Sequence, residues 1–121
     1  MTARILIIDD EPRWLEFARD SLGAKFEVDV AIDLETILSR LKGNRYDLII
    51  ASSRHLDVLK TISEQYPAKQ VLVATGQPTT SEAINIYRFG VIDYFPKDLR
   101  MEVVRGKIQE AIKKPVRAAA W

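Results

Sequence analysis

Short apolar runs alternate along the chain with stretches whose apolar residues recur every three or four positions, the pattern of strands and amphipathic helices taken in turn. "RILII" at 4–8 reads as a buried strand. Asp10-Glu11-Pro12 then opens a helix, because acids suit its positive end and proline is preset for a first turn. That helix runs through "RWLEFARDSL" and stops at Gly23. "FEVDVA" at 26–31 alternates apolar with acidic residues, which predicts a strand with one less buried face, near a sheet edge. Asp33 caps "LETILSRLK", which ends at Gly43. A third strand is expected over 46–51, followed by the helix "LDVLKTISEQY", closed by Pro67. "QVLVAT" and "TTSEAINIYRF" give the fourth strand and helix, ending at Gly90, and "VIDYF" and "LRMEVVRGKIQEAIKK" the fifth pair. Five strand–helix units joined by short connections imply a parallel sheet with helices on both faces.

Composition narrows the function classes. At 121 residues, 47% hydrophobic and 29% charged, the chain is one globular domain. A domain over 1–114 is expected, with "PVRAAAW" at 115–121 as a tail or the start of a linker. Eighteen basic and 17 acidic residues leave a net charge of +1, so no footprint for direct nucleic-acid binding is expected. The absence of cysteine removes disulfides and thiolate chemistry. The N-terminal apolar run is far too short for a signal or membrane span, and a cytoplasmic location without membrane contact is expected.

In an open α/β sheet, ligands gather at the carboxyl ends of the strands. The first strand delivers Asp9, Asp10 and Glu11 there; the third, Ser52, Ser53 and Arg54; the fourth, Thr75 and Gly76; the fifth, Pro96 and Lys97. Adjacent carboxylates suit a hard cation such as Mg²⁺, and a hydroxyl beside a lysine suits phosphoryl oxygens.

This constellation resembles the receiver domain of bacterial two-component response regulators. "ILIIDDEP", "YDLII", "VLVATG" and "FGVIDYFPKD" carry the resemblance, in order and over roughly residues 4–114. It implies a flavodoxin-like (βα)5 fold with strand order 2-1-3-4-5. By the same resemblance Asp9 and Asp10 fall on the metal-binding acids, Thr75 on the switch hydroxyl, Tyr94 on the rotating aromatic and Lys97 on the phosphate-contacting lysine.

The departures matter as much. The position of the phospho-accepting aspartate holds Ser52, whose hydroxyl is a weak nucleophile unless a base activates it. The following loop is about five residues short by alignment, and the family's Lys-Pro order appears reversed as Pro96-Lys97. Asp9 and Asp10 repel and need a counter-charge, for which Lys97 and Arg54 are the candidates. The expectation is therefore an atypical receiver, not an enzyme, with no cofactor and weak or absent Mg²⁺ binding. It would act through a protein partner or a second copy docked on the fourth helix, fifth strand and fifth helix, drawing on Ile86, Tyr87, Tyr94, Val103 and Arg105. Two alternatives stand beside it: phosphorylation at another residue, such as Asp47 or Asp57, and a small-ligand or nucleotide site in the same crevice. Against the latter, acids occupy the place of a glycine-rich phosphate loop. Plainer readings also apply: Asp10-Glu11 as helix N-terminal acids, Lys97 as a salt-bridge partner, Trp14 and Phe17 as core or interface contacts, and His55 as a loop residue.

Overall fold

The computed structural model describes residues 2–113. The boundary at 114 and the segment 115–121 lie outside the described residues. Ten elements alternate: β1 (Arg4–Ile8), α1 (Pro12–Gly23), β2 (Glu27–Ala31), α2 (Leu34–Gly43), β3 (Leu48–Ser52), α3 (Leu56–Gln65), β4 (Val71–Thr75), α4 (Thr80–Tyr87), β5 (Asp93–Pro96) and α5 (Met101–Lys113). All neighbouring strands pair in parallel, in the order β2-β1-β3-β4-β5. This is the parallel sheet expected from the alternation, in the flavodoxin-like (βα)5 order that the resemblance implied.

The two-residue period of the strands sorts the core into two layers. Ile5, Ile7, Leu48, Ile50 and Leu72 face α1 and α5, packing on Leu15, Leu22, Val104 and Ile108. Leu6, Ile8, Ile49, Val71 and Val73 face α2, α3 and α4, packing on Ile37, Leu59, Ile62 and Ile86. β3 and β4 are buried at every position, as their unbroken apolar runs require under helices on both faces. β2 carries "EVDVA" at a sheet edge and keeps its Asp29 half-buried.

Element ends differ from the sequence expectation by one or two residues. β3 starts two residues later than expected, because Tyr46 and Asp47 are tied down by other means: the Asp47 amide donates to the Arg4 carbonyl at 2.8 Å, and the Asp47 carboxylate accepts from the Arg4 amide at 2.8 Å. It also runs one residue further, so Ser52 is a strand residue paired with Ala74. β5 includes Pro96, which an edge strand accommodates because no ladder donor is needed there. All described peptide bonds are trans. α4 ends at Tyr87, and the chain turns through Gly90 at φ +76°, a left-handed conformation that glycine adopts without strain. No described helix is long and apolar enough to cross a membrane.

Candidate functional site

Strand register brings the sequence candidates to one end of the sheet. Ile8 pairs with Ala51, Ser52 with Ala74, and Thr75 with Pro96. Asp9, Ser52, Thr75 and Lys97 therefore leave the ladder within two residues of each other's level. Three of them are buried almost completely, at 0% exposure for Asp9 and 1% each for Ser52 and Thr75. Buried polar groups need partners, and those partners describe what the pocket is built to hold.

Asp9 is satisfied by the protein itself. Its Oδ1 accepts from the backbone amides of Asp10 and Glu11, at 2.7 and 3.0 Å, at the entrance to α1. Its Oδ2 faces the Lys97 Nζ at 2.8 Å, close enough for a strong ion pair although off the direction of a hydrogen bond. The same Nζ reaches Glu11 Oε2 at 2.8 Å and sits 5.2 Å from the centre of the Trp14 ring. Burial works against a charged ammonium here, but the Asp9 and Glu11 carboxylates outweigh it and raise the Lys97 pKa above its ordinary value. The Lys97 amide also donates to the Thr75 carbonyl at 2.7 Å, continuing the β4–β5 pairing by one residue. The counter-charge is thus Lys97 and not Arg54. Arg54 is exposed and forms no ion pair among the described residues, because the three-residue link from β3 to α3 turns it outward.

Ser52 serves the turn that follows it. Its Oγ accepts from the Arg54 amide at 3.3 Å, and its carbonyl accepts from the His55 amide at 3.1 Å. No carboxylate or imidazole takes its hydroxyl proton among the described residues. His55 precedes α3 and points its Nε2 toward Asp10 Oδ1 at 3.8 Å, so the one histidine of the chain faces the exposed acid and not the serine. Asp47 lies at the opposite end of the sheet, and Asp57 is exposed in the first turn of α3.

At the β4 end, Thr75 donates its hydroxyl to Glu82 Oε1 at 2.5 Å and accepts from the Gln77 amide at 3.2 Å. The Tyr94 hydroxyl donates to the same Glu82 oxygen. Tyr94 in turn meets Tyr87 edge to face, with ring centres 6.4 Å apart. Among the residues expected on the α4–β5–α5 face, Ile86 is fully buried in the core, whereas Tyr87 and Val103 are 47% and 41% exposed; Ile84, not expected there, is 54% exposed. Helical phase explains the correction: Ile86 packs into the core against β4, whereas Ile84 and Tyr87 lie toward the surface, Tyr87 against the Tyr94 ring.

Sequence reasoning missed one acid of this region and the partner of another. Glu11 was placed at the end of the first strand but not matched to Lys97, and Glu82 lay inside a helix. The Thr79-x-x-Glu82 spacing of a capping box was the signal available for Glu82, since it places that side chain back at the end of β4.

The family model for the response regulator receiver domain matches residues 5–109. The DNA-binding transcriptional regulator NtrC of Proteus hauseri is 31% identical over 81 residues, or 63% of this chain and only 17% of that protein. A two-component response regulator from Clostridium difficile superposes with a TM-score of 0.86 at 22% identity, covering 93% of this chain and 98% of that one. The solution structure of the beryllofluoride-activated NtrC4 receiver domain dimer gives 0.82 at 21% identity, covering 91% and 96%.

Proposed function

This chain belongs to the response regulator receiver domain family, and from that premise we propose that it is an atypical receiver that signals by protein contact without phosphorylation of its own pocket. The observation that carries this reading is the Lys97 ammonium lying 2.8 Å from both Asp9 and Glu11, beside a serine with no base. An acyl-phosphate mechanism needs a carboxylate nucleophile. Ser52 offers a hydroxyl engaged in a turn, and a hydroxyl without a base stays protonated and weakly nucleophilic.

The donor set fits Mg²⁺ poorly. One Asp9 oxygen is taken by two amides and the other by Lys97, which leaves Asp10, with His55 Nε2 3.8 Å from its Oδ1, as the acid not paired with Lys97. No group of three acids or histidines placed to hold a metal occurs among the described residues. An octahedral ion that demands several oxygen ligands gains little here and meets a positive charge already in place. Weak or absent Mg²⁺ binding belongs to this proposal.

The docking surface is the α4–β5–α5 face, with Ile84, Tyr87 and Val103 exposed and Tyr94 and Arg105 half-buried. Aromatic, aliphatic and Arg side chains together are the composition of interface centres. A second copy of the chain is the proposed occupant, and the NtrC4 receiver dimer supplies a related fold in that state. Function by contact makes the domain a signalling module and not an enzyme.

Sedimentation velocity at micromolar concentration, with and without acetyl phosphate and Mg²⁺, tests the reading. The expected result is concentration-dependent self-association that the phosphodonor leaves unchanged. A donor-dependent shift contradicts phosphorylation independence, and a monomer at every concentration contradicts the second copy as partner.

A further inference from the structure

The carboxylate of Glu82 does something that helix capping does not ask of it. Thr79 caps α4 in the ordinary way, its Oγ1 accepting from the Glu82 amide at 3.1 Å. In a capping box the glutamate would return to the Thr79 amide. Here one oxygen, Glu82 Oε1, accepts instead from the Thr75 hydroxyl at the end of β4 and from the Tyr94 hydroxyl on β5. Hydrogen bonds to a carboxylate are roughly twice as strong as neutral ones. Thr75 is buried, so an acceptor for its proton is worth more there than in water.

We propose that Glu82 is an internal anion that latches Thr75 to Tyr94, so that the end of β4, the start of α4 and β5 hold one arrangement with no external anionic group in the pocket. The inference rests on the receiver reading in one respect: that reading makes Thr75 and Tyr94 the pair whose joint position matters. The geometry carries the latch outward. Tyr94 packs edge to face on Tyr87, and Tyr87 is 47% exposed on the docking face. A change at Glu82 therefore reaches the surface through two aromatic rings. Burial, and after it the hydrogen bond to Glu82, holds the Tyr94 phenol above the ordinary tyrosine pKa, which provides a local readout.

The test is an alkaline titration of the whole chain carrying ¹³Cζ-labelled tyrosine, with the four tyrosines assigned by single Tyr→Phe variants. In Glu82→Gln, the ionisation constant of Tyr94 is expected to rise at least threefold, about half a pH unit downward in pKa. Tyr46, which donates to Asp29 and is likewise raised, stays where it was. A Tyr94 titration unchanged by Glu82→Gln overturns the latch. Glu82→Asp keeps the charge but shortens the reach, and it guards against misfolding of the first variant: the latch expects Tyr94 to move in this variant too, and no movement overturns it. Sedimentation of the wild type reads the docking surface separately, so a monomeric chain would count against docking while the tyrosine titration still decides the latch.

Discussion

Lys97 decides the character of the pocket because its compact ammonium meets two carboxylates and an indole face at once. Lys97→Met removes the partner of a fully buried Asp9 and is expected to cost about 3 kcal/mol in urea unfolding, the lower end of what breaking a buried pair costs, since half-exposed Glu11 relaxes into water. The pH dependence has a definite sign. A lysine pKa raised by folding stabilises the fold below the unfolded value of 10.5, and that contribution is lost as pH rises through the folded value. The alkaline fall in stability should therefore be shallower in Lys97→Met than in the wild type. The placement of Asp9, Ser52, Thr75 and Lys97 was legible in the sequence because each ends a strand or directly follows one, and strand ends can be located from apolar runs. The contacts of Glu11 with Lys97 and of Glu82 with Thr75 were not, because side chains at helix starts reach back to the sheet in directions that spacing alone does not give.

At the scale of elements, helix caps and strand ends hold the site in place. Thr79→Ala removes the α4 cap and should cost about 1 kcal/mol, read as a shift in the urea midpoint. At the opposite end of the sheet, Asp29 on β2 joins three strands, accepting from Arg4 of β1 at 3.0 Å and from Tyr46, just before β3, at 2.7 Å. Burial opposes its charge, but the Tyr46 hydroxyl and the Arg4 and Arg40 guanidiniums prevail and hold its pKa below 3.8. A carboxylate lowered by folding stabilises above its unfolded pKa, and the contribution disappears as pH falls through the folded one. Asp29→Asn should flatten the acid limb of a stability–pH curve, and an unchanged limb would assign acid unfolding to other carboxylates. This hub was invisible in the sequence, where Asp29 read only as the polar face of an edge strand. The order and type of all ten elements were visible, because buried parallel strands and capped helices carry opposite periodicities. The strand ends slipped where tertiary bonds, as at Asp47, replaced the ladder.

Across the whole molecule, the fold separates a buried group of polar side chains from an exposed apolar surface. The pocket end carries the buried Asp9–Lys97 ion pair, and the α4–β5–α5 face carries exposed apolar and aromatic side chains. Tyr87→Glu places a charge in the centre of that face and is expected to weaken self-association at least tenfold by sedimentation, about 1.4 kcal/mol. The same association in Tyr87→Glu and wild type would move the docking surface elsewhere. The curated relative is far longer than this chain, which spans 17% of its length, so any output through further domains is a separate matter from this pocket.

The central claim is that no phosphoryl group enters a pocket whose cation is Lys97 and whose acceptor position is Ser52. Intact-mass spectrometry after incubation with acetyl phosphate and Mg²⁺ tests it most directly, with a typical receiver carrying the acceptor aspartate as positive control. The account predicts a single unmodified species for this chain under conditions that label the control. A stoichiometric phosphoryl adduct, lost on Ser52→Ala or mapped to any aspartate, would contradict it.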